Sequence, residues 1–271
     1  METLSTPVVT FIIPVRHPDN AKNWGALTKR LQQTARSIAA QTDKAWSAVV
    51  VANEGAELPP LPVGFSVARV GFSPNPMHDL DAADREAVYE AFRIDKGRRV
   101  LAGMLQAGSP SYFMIVDDDD FVSRDIVSFV SKNRGANGWS VTRGYVWSEG
   151  GPLLCLHSNF AGLCGTSHII RADLYGVPSS FEDADEDYVK RMLGSHIRIE
   201  EILRAQGNPL SSLPFPGAVY RVGHAEAHSK SKGMLRTYLL NRAVLSSPRR
   251  TFRKLKDFRV LGPGMAAQFG M

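Results

Sequence analysis

The sequence predicts an α/β protein with a mostly parallel central sheet. Residues 8–15, 48–52 and 112–116 are short and almost wholly apolar, a pattern typical of buried parallel strands. Helical patterns over residues 24–40 and 81–107 lie between them, and strands that alternate with helices favour a parallel sheet. Polar residues follow each strand directly, at the edge where such sheets bind ligands.

The first half of the chain supplies these elements in order. Pro14 lies near the end of the first strand, where its missing N–H costs the strand pairing little. The helix at 24–40 carries leucine, alanine and isoleucine on one face. Residues 65–70 are expected to form a further strand, and the helix at 81–107 is expected to break near Gly97.

The second half predicts a less regular arrangement. Helices are expected over residues 123–133 and 188–205. The segment 139–170 is rich in glycine, aromatic residues and short β-like runs. This composition predicts that the sheet becomes mixed there.

Composition excludes several classes of protein. Apolar residues make up 44% and charged residues 22% of the 271 residues, which excludes collagen-like, disordered and disulfide-scaffold chains. Cys155 and Cys164 are isolated and lack the spacing of a metal site. The acidic Glu2 precedes the first apolar run and no small-residue cleavage site follows it, so no signal peptide is expected. No stretch reaches the roughly 18 apolar residues of a membrane span, and the expected location is the cytoplasm.

Positive charge is concentrated near the C-terminus. The net charge is +5, yet residues 229–260 hold ten lysines and arginines against Asp257 alone, so the rest of the chain is acidic. Because leucine and valine residues lie among these arginines, residues 230–259 are expected to contact an anionic membrane. The alternative is a helix packed on the domain with its charges in water. Nucleic acid is not expected as a partner.

Four consecutive aspartates, Asp117 to Asp120, follow the strand at 112–116. A hard divalent cation such as Mg²⁺ or Mn²⁺ relieves their repulsion, because it takes oxygen ligands and shares them with a diphosphate. Residues two apart on an extended segment point the same way, so Asp117 and Asp119 are expected to share one ion. The alternative is a solvated turn in which Asp118 or Asp120 caps the next helix. A Walker B strand is excluded because no GxxxxGK[ST] loop is present.

Several motifs occur in the order found in a known family. TFIIPVR is followed by VVVANEG, then KGRR, then FMIVDDDDFVSRDI. These motifs resemble those of the GT-A glycosyltransferases, especially the large inverting family of polysaccharide and lipopolysaccharide sugar transferases. The resemblance covers residues 8–229 and implies a GT-A fold that binds a nucleotide-diphosphate sugar, although Asn53 and Glu54 stand where the family usually has an aspartate. The donor-binding residues that it implies are Pro14, Val15, Arg16, Asn53, Glu54, Arg98, Asp117 and Asp118.

Two residues compete for the role of catalytic base. GLCGTSHIIRADLY resembles the acceptor-side strand of the family, and DEDYVKRML resembles its ED motif, which implies that Asp187 deprotonates the acceptor hydroxyl. Counting back from YRVGH by the family's spacing reaches His196 instead, a base at its ordinary pKa of about 6.5. The alternatives are a solvated helix start around Asp187 and a structural role for His196.

The resemblance also implies the metal ligands. VYRVGHAEAHS matches the histidine that completes the metal site in many GT-A enzymes, which makes His224 the third ligand beside Asp117 and Asp119. His228 lies four residues on, a spacing that suits a second ligand on one helical face. Imidazole beside carboxylates favours Mn²⁺ over Mg²⁺, and the order HxExH differs from the HExxH of zinc proteases.

Together these patterns predict a metal-assisted, inverting glycosyltransferase. Its donor is expected to be UDP-linked and its acceptor a hydroxyl of a saccharide or a lipid-linked molecule. Residues 1–228 are expected to form the catalytic domain, with 1–120 binding the nucleotide and 121–228 the acceptor, and residues 229–271 a basic helical extension. A retaining mechanism stays open if Asp187 lies far from the reacting carbon. A sugar-phosphate nucleotidyltransferase and a non-catalytic nucleotide-sugar binding module are the alternative functions.

Overall fold

A computed structural model describes residues 6–78, 85–223 and 255–271 of the chain. Within these residues the strands form one sheet of seven strands and one of five. In chain order the strands are β1 (Val9–Pro14), β2 (Trp46–Asn53), β3 (Phe65–Val70), β4 (Tyr112–Ile115), β5 (Phe121–Val122), β6 (Gly138–Ser140), β7 (Gly144–Ser148), β8 (Leu153–His157), β9 (His168–Arg171), β10 (Ser211–Ser212), β11 (Ala218–Val222) and β12 (Phe258–Val260).

Helices accompany both sheets. A π-helical turn, Val189–Leu193, joins two of the helices, and short 3-10 turns lie at Pro18–Asn20 and Ala172–Tyr175. Among the described residues, no helix combines the length and the apolar character that a membrane crossing requires. The α-helices of this part of the chain are α1 (Trp24–Ala39), α2 (Arg85–Ala107), α3 (Ile126–Lys132), α4 (Glu186–Tyr188), α5 (His196–Ala205) and α6 (Pro263–Phe269).

The seven-stranded sheet has the order β10-β6-β9-β4-β1-β2-β3. Strands β3, β2, β1 and β4 run parallel, whereas β9 runs antiparallel to β4 and β6. In register, Ile12 lies between Val49 and Ile115, so the parallel strands end at one edge. The predicted α/β class, with a parallel first half and a mixed continuation, is confirmed.

Helix α1 holds the chain segment that follows the aspartate run. The side chain of Ser37 accepts a hydrogen bond from the Val122 N–H at 2.8 Å. Gln41, just beyond the helix, donates from Nε2 to the Ser123 carbonyl oxygen at 2.8 Å. Because both donors and acceptors are buried, these bonds are costly to lose, and they anchor the chain directly after Asp120.

Helix α2 continues through Gly97, so the predicted break there is wrong. A Cβ added to Gly97 would lie 2.3 Å from the Val189 carbonyl oxygen. The glycine therefore allows another backbone to approach α2 closely instead of ending the helix. The predicted start of this helix, residues 81–84, lies outside the described residues.

Two other helices differ from their predicted bounds. The helix expected over 188–205 is interrupted by the π-helical turn and by Gly194, and α5 begins afresh where the Ser195 side chain accepts from the Arg198 N–H at 3.3 Å. The helix expected from residue 123 begins at Ile126. Just before it, Phe121 and Val122 pair as β5 with β11, and the Ser123 N–H donates to the Gly217 carbonyl oxygen.

The last residues of the chain pack on the second sheet, whose order is β12-β8-β7-β11-β5. Strand β12 pairs antiparallel with β8. Phe269 of α6 is buried against Tyr145, with ring centroids 5.8 Å apart, and Gln268 donates to the Ser123 hydroxyl at 2.9 Å. The described part of the predicted extension thus contains a strand as well as a helix. Residues 224–254, which hold most of the predicted membrane-contact segment and the expected domain boundary, lie outside the described residues.

Candidate active site

The four aspartates form a turn at the carboxyl end of β4. The Asp120 N–H donates to the Asp117 carbonyl oxygen at 3.2 Å, so the chain bends here instead of continuing as the extended segment that the sequence predicts. Asp117 and Asp119 are partly exposed, whereas Asp118 and Asp120 are buried. The turn leaves the first and third carboxylates accessible and encloses the second and fourth.

Asp120 connects three parts of the fold. Its Oδ2 accepts hydrogen bonds from the Thr166 hydroxyl at 2.6 Å and from the Cys164 thiol at 3.1 Å. Its Oδ1 accepts from the Arg221 N–H of β11 at 3.2 Å. Burial raises the pKa of Asp120 well above its ordinary value, and the neighbouring carboxylates add to the rise. Its role is therefore to fix the turn against β11 and the loop before β9.

Asp118 is buried without the same support. Asp118 is only 7% exposed, and its Oδ2 has no hydrogen-bond partner among the described residues. Burial, opposed by the Arg16 charge and reinforced by the adjacent carboxylates, raises the pKa of Asp118 to about 7. A buried oxygen of this kind is costly, and a bound cation would reduce the cost.

Lys96 of α2 pairs with Asp117 at the edge of the sheet. Its Nζ lies 2.5 Å from Asp117 Oδ1, and the Asp117 N–H donates to the Thr166 hydroxyl at 2.9 Å. A Cβ added to Gly165 would lie 2.6 Å from Asp117 Oδ2 and 2.7 Å from Lys96 Nζ. Burial opposes the charge of Lys96, but the Asp117 carboxylate outweighs it and raises the pKa of the lysine. The pair depends on the space that Gly165 leaves.

Two glycines bring α2 against the segment that leads into α5. A Cβ at Gly97 would lie 2.3 Å from the Val189 carbonyl oxygen, and one at Gly194 would lie 2.1 Å from the Arg93 carbonyl oxygen. Gly97 directly follows Lys96, and Gly194 lies two residues before His196. The close approach thus brings Lys96 and His196 to the wall of one cavity.

His196 is the first residue of α5. Burial, with the charges of Lys96 and His168 adding to its effect, lowers the pKa of His196 to about 4. Its Nε2 is buried and has no hydrogen-bond partner in the described part of the chain. At neutral pH the imidazole is uncharged and can accept a proton.

Asp187, the other candidate base, has different surroundings. Its side chain is 69% exposed, and its Oδ2 lies 3.2 Å from a guanidinium nitrogen of Arg191, four residues on. The neighbouring Asp185 caps α4 by accepting a hydrogen bond from the Tyr188 N–H at 2.6 Å. The acids of this segment therefore act at a solvated helix start, whereas His196 lies beside Lys96.

Residues at the end of β1 lie near the aspartate turn. Pro14 is the last residue of the strand, and the buried Val15 donates its N–H to the Val51 carbonyl oxygen at 2.9 Å. Arg16 follows, with a guanidinium nitrogen 3.5 Å from His78 Nε2. The charge of Arg16 acts on Asp118, which places the arginine at the same edge of the sheet.

Residues after β2 make mostly structural contacts. Asn53 is buried; its Nδ2 donates to the Phe72 carbonyl oxygen at 2.6 Å and its Oδ1 accepts from Arg99 at 2.8 Å. Glu54 is exposed in the following turn. The guanidinium of Arg98 stacks over the Phe72 ring at 4.4 Å. Of the basic residues in the KGRR motif, Lys96 rather than Arg98 pairs with the aspartate turn.

A complete metal site is not formed within residues 6–78, 85–223 and 255–271: no three His, Cys, Asp or Glu side chains converge there. His224, which directly follows Gly223, and His228 lie outside the described residues. Strand β11 ends at Val222 and is bonded through Arg221 to Asp120. The chain therefore reaches the neighbourhood of the aspartate turn just before His224.

Lys96, Thr166 and His168 are absent from the residues that the motifs select, yet all three lie at this site. Lys96 belongs to the KGRR motif, and the other two belong to the glycine-rich motif before β9. Glycine inside a helical pattern indicates close backbone approach, so Gly97 was the available signal for Lys96. Nothing local distinguishes Thr166 or His168.

No protein-family model and no curated protein matches the chain. The structure is similar to that of TarS 1–349 from S. aureus, with a TM-score of 0.46 and 12% identity, covering 79% of this chain and 60% of that one. A complex of TarS 1–349 with UDP-GlcNAc matches with a TM-score of 0.36 and 11% identity, covering 86% and 63%.

The glycosyltransferase GlyE of Streptococcus pneumoniae TIGR4 is also similar in structure. Its TM-score is 0.37 and its identity 9%, over 86% of this chain and 59% of that one. The chain thus spans 59% to 63% of the length of these three solved structures.

Proposed function

We propose that this chain is a GT-A glycosyltransferase that moves a sugar from a nucleotide-diphosphate sugar to a hydroxyl group. The observation that carries the proposal is the aspartate turn at the carboxyl end of β4, with Lys96 paired to Asp117 and His196 on the wall of the same cavity as Lys96. Parallel sheets bind ligands at this edge. Accessible carboxylates beside a neutral base suit transfer from a diphosphate to an alcohol.

The donor is proposed to be UDP-linked and to lie along the ends of β1, β2 and β4. Support comes from the register of these strands, which brings their carboxyl ends to one edge. Val15, Arg16 and Glu54 lie at that edge, and Arg16 is close enough to act on the pKa of Asp118. Asn53 takes part through its buried amide, which holds the loop after β3.

Asp117 and Asp119 are proposed to hold Mn²⁺ or Mg²⁺, with His224 as a further ligand. Carboxylate oxygens suit a hard divalent cation, and a cation would favour the ionised form of the buried Asp118, whose Oδ2 has no partner among the described residues. When bound, the ion offsets the charge that develops on the leaving diphosphate. Lys96 contributes a fixed positive charge at the same place.

His196 is proposed as the base in preference to Asp187. The imidazole takes the proton of the acceptor hydroxyl while the acceptor oxygen bonds to the anomeric carbon. The bond from that carbon to the diphosphate breaks, and its electron pair leaves with the diphosphate. A single displacement of this kind inverts the configuration at the anomeric carbon. His196 is uncharged at neutral pH, which the step requires.

The metal site is tested by the Asp119→Ala variant. A panel of nucleotide sugars is incubated with the full chain and Mn²⁺, and release of the nucleotide diphosphate is measured. Because water replaces the acceptor slowly, wild-type hydrolysis is expected with one donor, and Asp119→Ala is expected to lose about 10²-fold or more. Asp173→Ala removes a surface carboxylate that pairs with Arg171, and it is the control. Wild-type activity in Asp119→Ala, or full activity with a chelator present, would contradict the metal site.

The base is tested by comparing His196→Ala with Asp187→Ala in the same assay. Removal of a general base costs about 10²- to 10⁴-fold, so His196→Ala is expected to fall in that range and Asp187→Ala to stay within about twofold. Circular dichroism verifies that both variants fold. The opposite ranking would assign the base to Asp187.

A further inference from the structure

A small cavity lies between Lys96, His168 and His196, with Gly165 and Ser195 beside them. The centre of a water-sized group can occupy about 20 Å³ of this cavity. That is enough space for one oxygen-sized group. Lys96, Ser195 and His196 are each partly exposed, and the cavity is not fully enclosed. Its apolar wall consists of Ile115, Tyr175, Met192, Leu193 and Ile199.

Two histidines that line this cavity each have a buried ring nitrogen without a hydrogen-bond partner among the described residues. His168 is 5% exposed, and neither its Nδ1 nor the Nε2 of His196 has a hydrogen-bond partner among the described residues. Buried side-chain polar atoms are nearly always paired. Two unpaired nitrogens on one cavity therefore point to a polar ligand within it.

The hydrogen-bonding roles on the wall follow from neighbouring contacts. His168 Nε2 lies 2.9 Å from the His196 carbonyl oxygen and 3.6 Å from Glu200 Oε2, so Nε2 carries the proton and donates it. Burial lowers the pKa of His168, which leaves the ring neutral and its Nδ1 an acceptor. Lys96 carries three N–H donors, of which one goes to Asp117. The lining residues thus offer His168 Nδ1 as an acceptor, at least one N–H donor of Lys96 and the unpartnered Nε2 of His196.

We propose that this cavity binds a hydroxyl group of a sugar substrate, with the O–H donating to His168 Nδ1 and the oxygen accepting from Lys96. The inference rests on the proposed function and makes His168 a specificity-determining residue. A carboxylate or a phosphodiester at neutral pH has no proton to give to Nδ1, and an ammonium group is repelled by Lys96. A neutral hydroxyl satisfies both residues.

The variant His168→Gln separates the two sides of the ring. The glutamine amide reaches the position of Nε2 and donates to the His196 carbonyl oxygen, but it has no acceptor at the position of Nδ1. The variant His168→Asn does the reverse, because its amide oxygen occupies the position of Nδ1. Ser140→Ala is the matched control, since the Ser140 hydroxyl lies 3.5 Å from Glu200 Oε2 and is absent from the cavity wall.

Binding of UDP and of UDP-glucose to the full-length variants is measured by calorimetry with Mn²⁺ present. If the hydroxyl belongs to the donor sugar, His168→Gln weakens UDP-glucose by about tenfold and leaves UDP unchanged, and His168→Asn restores part of the loss. If it belongs to the acceptor, both affinities stay and the KM for glycerol as an alcohol acceptor rises about tenfold. Unchanged values in all three measurements would overturn the proposal and leave only water for the cavity.

A second readout keeps the two proposals separate. If the wild-type chain binds no uridine nucleotide, the proposed donor fails, and glycerol alone then tests the cavity. Ring ¹⁵N signals of His168 and His196 are followed by NMR as glycerol is added. The Nδ1 signal of His168 is expected to shift in the wild type and in Ser140→Ala. The absence of a shift at saturating glycerol would overturn the cavity's assignment.

Discussion

The buried carboxyl group of Asp118 has a desolvation cost that its neighbours do not offset. Asp120 accepts three hydrogen bonds and Asp117 is paired with Lys96, whereas Asp118 is buried with its Oδ2 unpartnered in the described part of the chain. These three side chains of one type thus have different surroundings, set by what each meets in the fold. A binding site often contains residues that lower the stability of the fold in this way.

The variant Asp118→Asn is expected to be more stable than the wild type above neutral pH when divalent ions are absent. Burial raises the pKa of Asp118 from 3.8 to about 7 in the folded chain. The unfolded chain therefore loses the proton first, and stability falls as pH rises from about 4 to about 7. The asparagine variant escapes this loss, which amounts to roughly 2–4 kcal/mol at pH 8.

Chemical denaturation of both chains at pH 5 and pH 8 measures the difference. The gap is expected to be less than half as large at pH 5 as at pH 8, and Mn²⁺ is expected to stabilise the wild type more than the variant. Asp173→Asn is the control: its hydrogen bond to Arg171 lowers the pKa of Asp173, so its effect has the opposite sign. A gap that is independent of pH would contradict the burial of a costly carboxylate at position 118.

At the scale of the elements, the site depends on how closely α2 approaches the π-helical turn. Gly97 and Gly194 each occupy a place where a Cβ would lie under 2.5 Å from a facing carbonyl oxygen. A π-helical turn inserts an extra residue per turn into the helical path, and Val189–Leu193 is such a turn. These features bring α5, and His196 with it, to Lys96.

The variant Gly97→Ala is expected to lower the free energy of unfolding by about 1–3 kcal/mol, because the added methyl group meets the Val189 backbone. Helix propensity alone predicts a gain of about 1 kcal/mol, so the sign separates the two effects. Gly25→Ala in α1 is the control, since its Cβ would lie at an ordinary 3.5 Å from Asn23. Urea denaturation measures both, and equal gains in the two variants would show that α2 does not meet the turn closely.

At the scale of the whole molecule, the C-terminal residues pack against the segment that follows the aspartate turn. Helix α6 reaches the segment after the aspartate turn through Gln268, which donates to Ser123 and to Asp125 at 2.9 and 2.8 Å. Phe269 is buried with Tyr145 and Phe121 in the core of the second sheet. Helix α6 thus stabilises the segment that directly follows the aspartate turn.

Phe269→Ala is expected to cost about 3–5 kcal/mol, the usual loss for a buried phenylalanine. Amide hydrogen exchange is expected to rise in residues 121–125, because these residues lose their support. Arg259→Ala changes an exposed side chain of β12 and is expected to stay within about 0.5 kcal/mol. Thermal unfolding and exchange measured by mass spectrometry give both values. An unchanged melting temperature in Phe269→Ala would mean that α6 is not docked.

Local patterns predicted much of the fold and only part of the site. The apolar runs predicted β1, β2 and β4, because a strand buried on both faces needs little beyond its own residues. The same reasoning failed at Gly97 and over residues 188–205, where contacts distant in the sequence decide the helix path. Between the candidate bases the sequence motif favoured Asp187, whereas the burial of His196 beside Lys96 and the exposure of Asp187 depend on packing and could not be predicted from sequence.

The sequence by itself determined the α/β class, the strand that leads into Asp117 to Asp120, and the edge of the sheet where these carboxylates lie. These follow from hydrophobic runs and from chain direction, which are local properties. Only the tertiary structure decided that Lys96 pairs with Asp117, that Asp118 is enclosed, and that His168 and His196 share a cavity. Each of these depends on side chains more than twenty residues apart in the sequence or on removal from water, and both arise only when the elements pack.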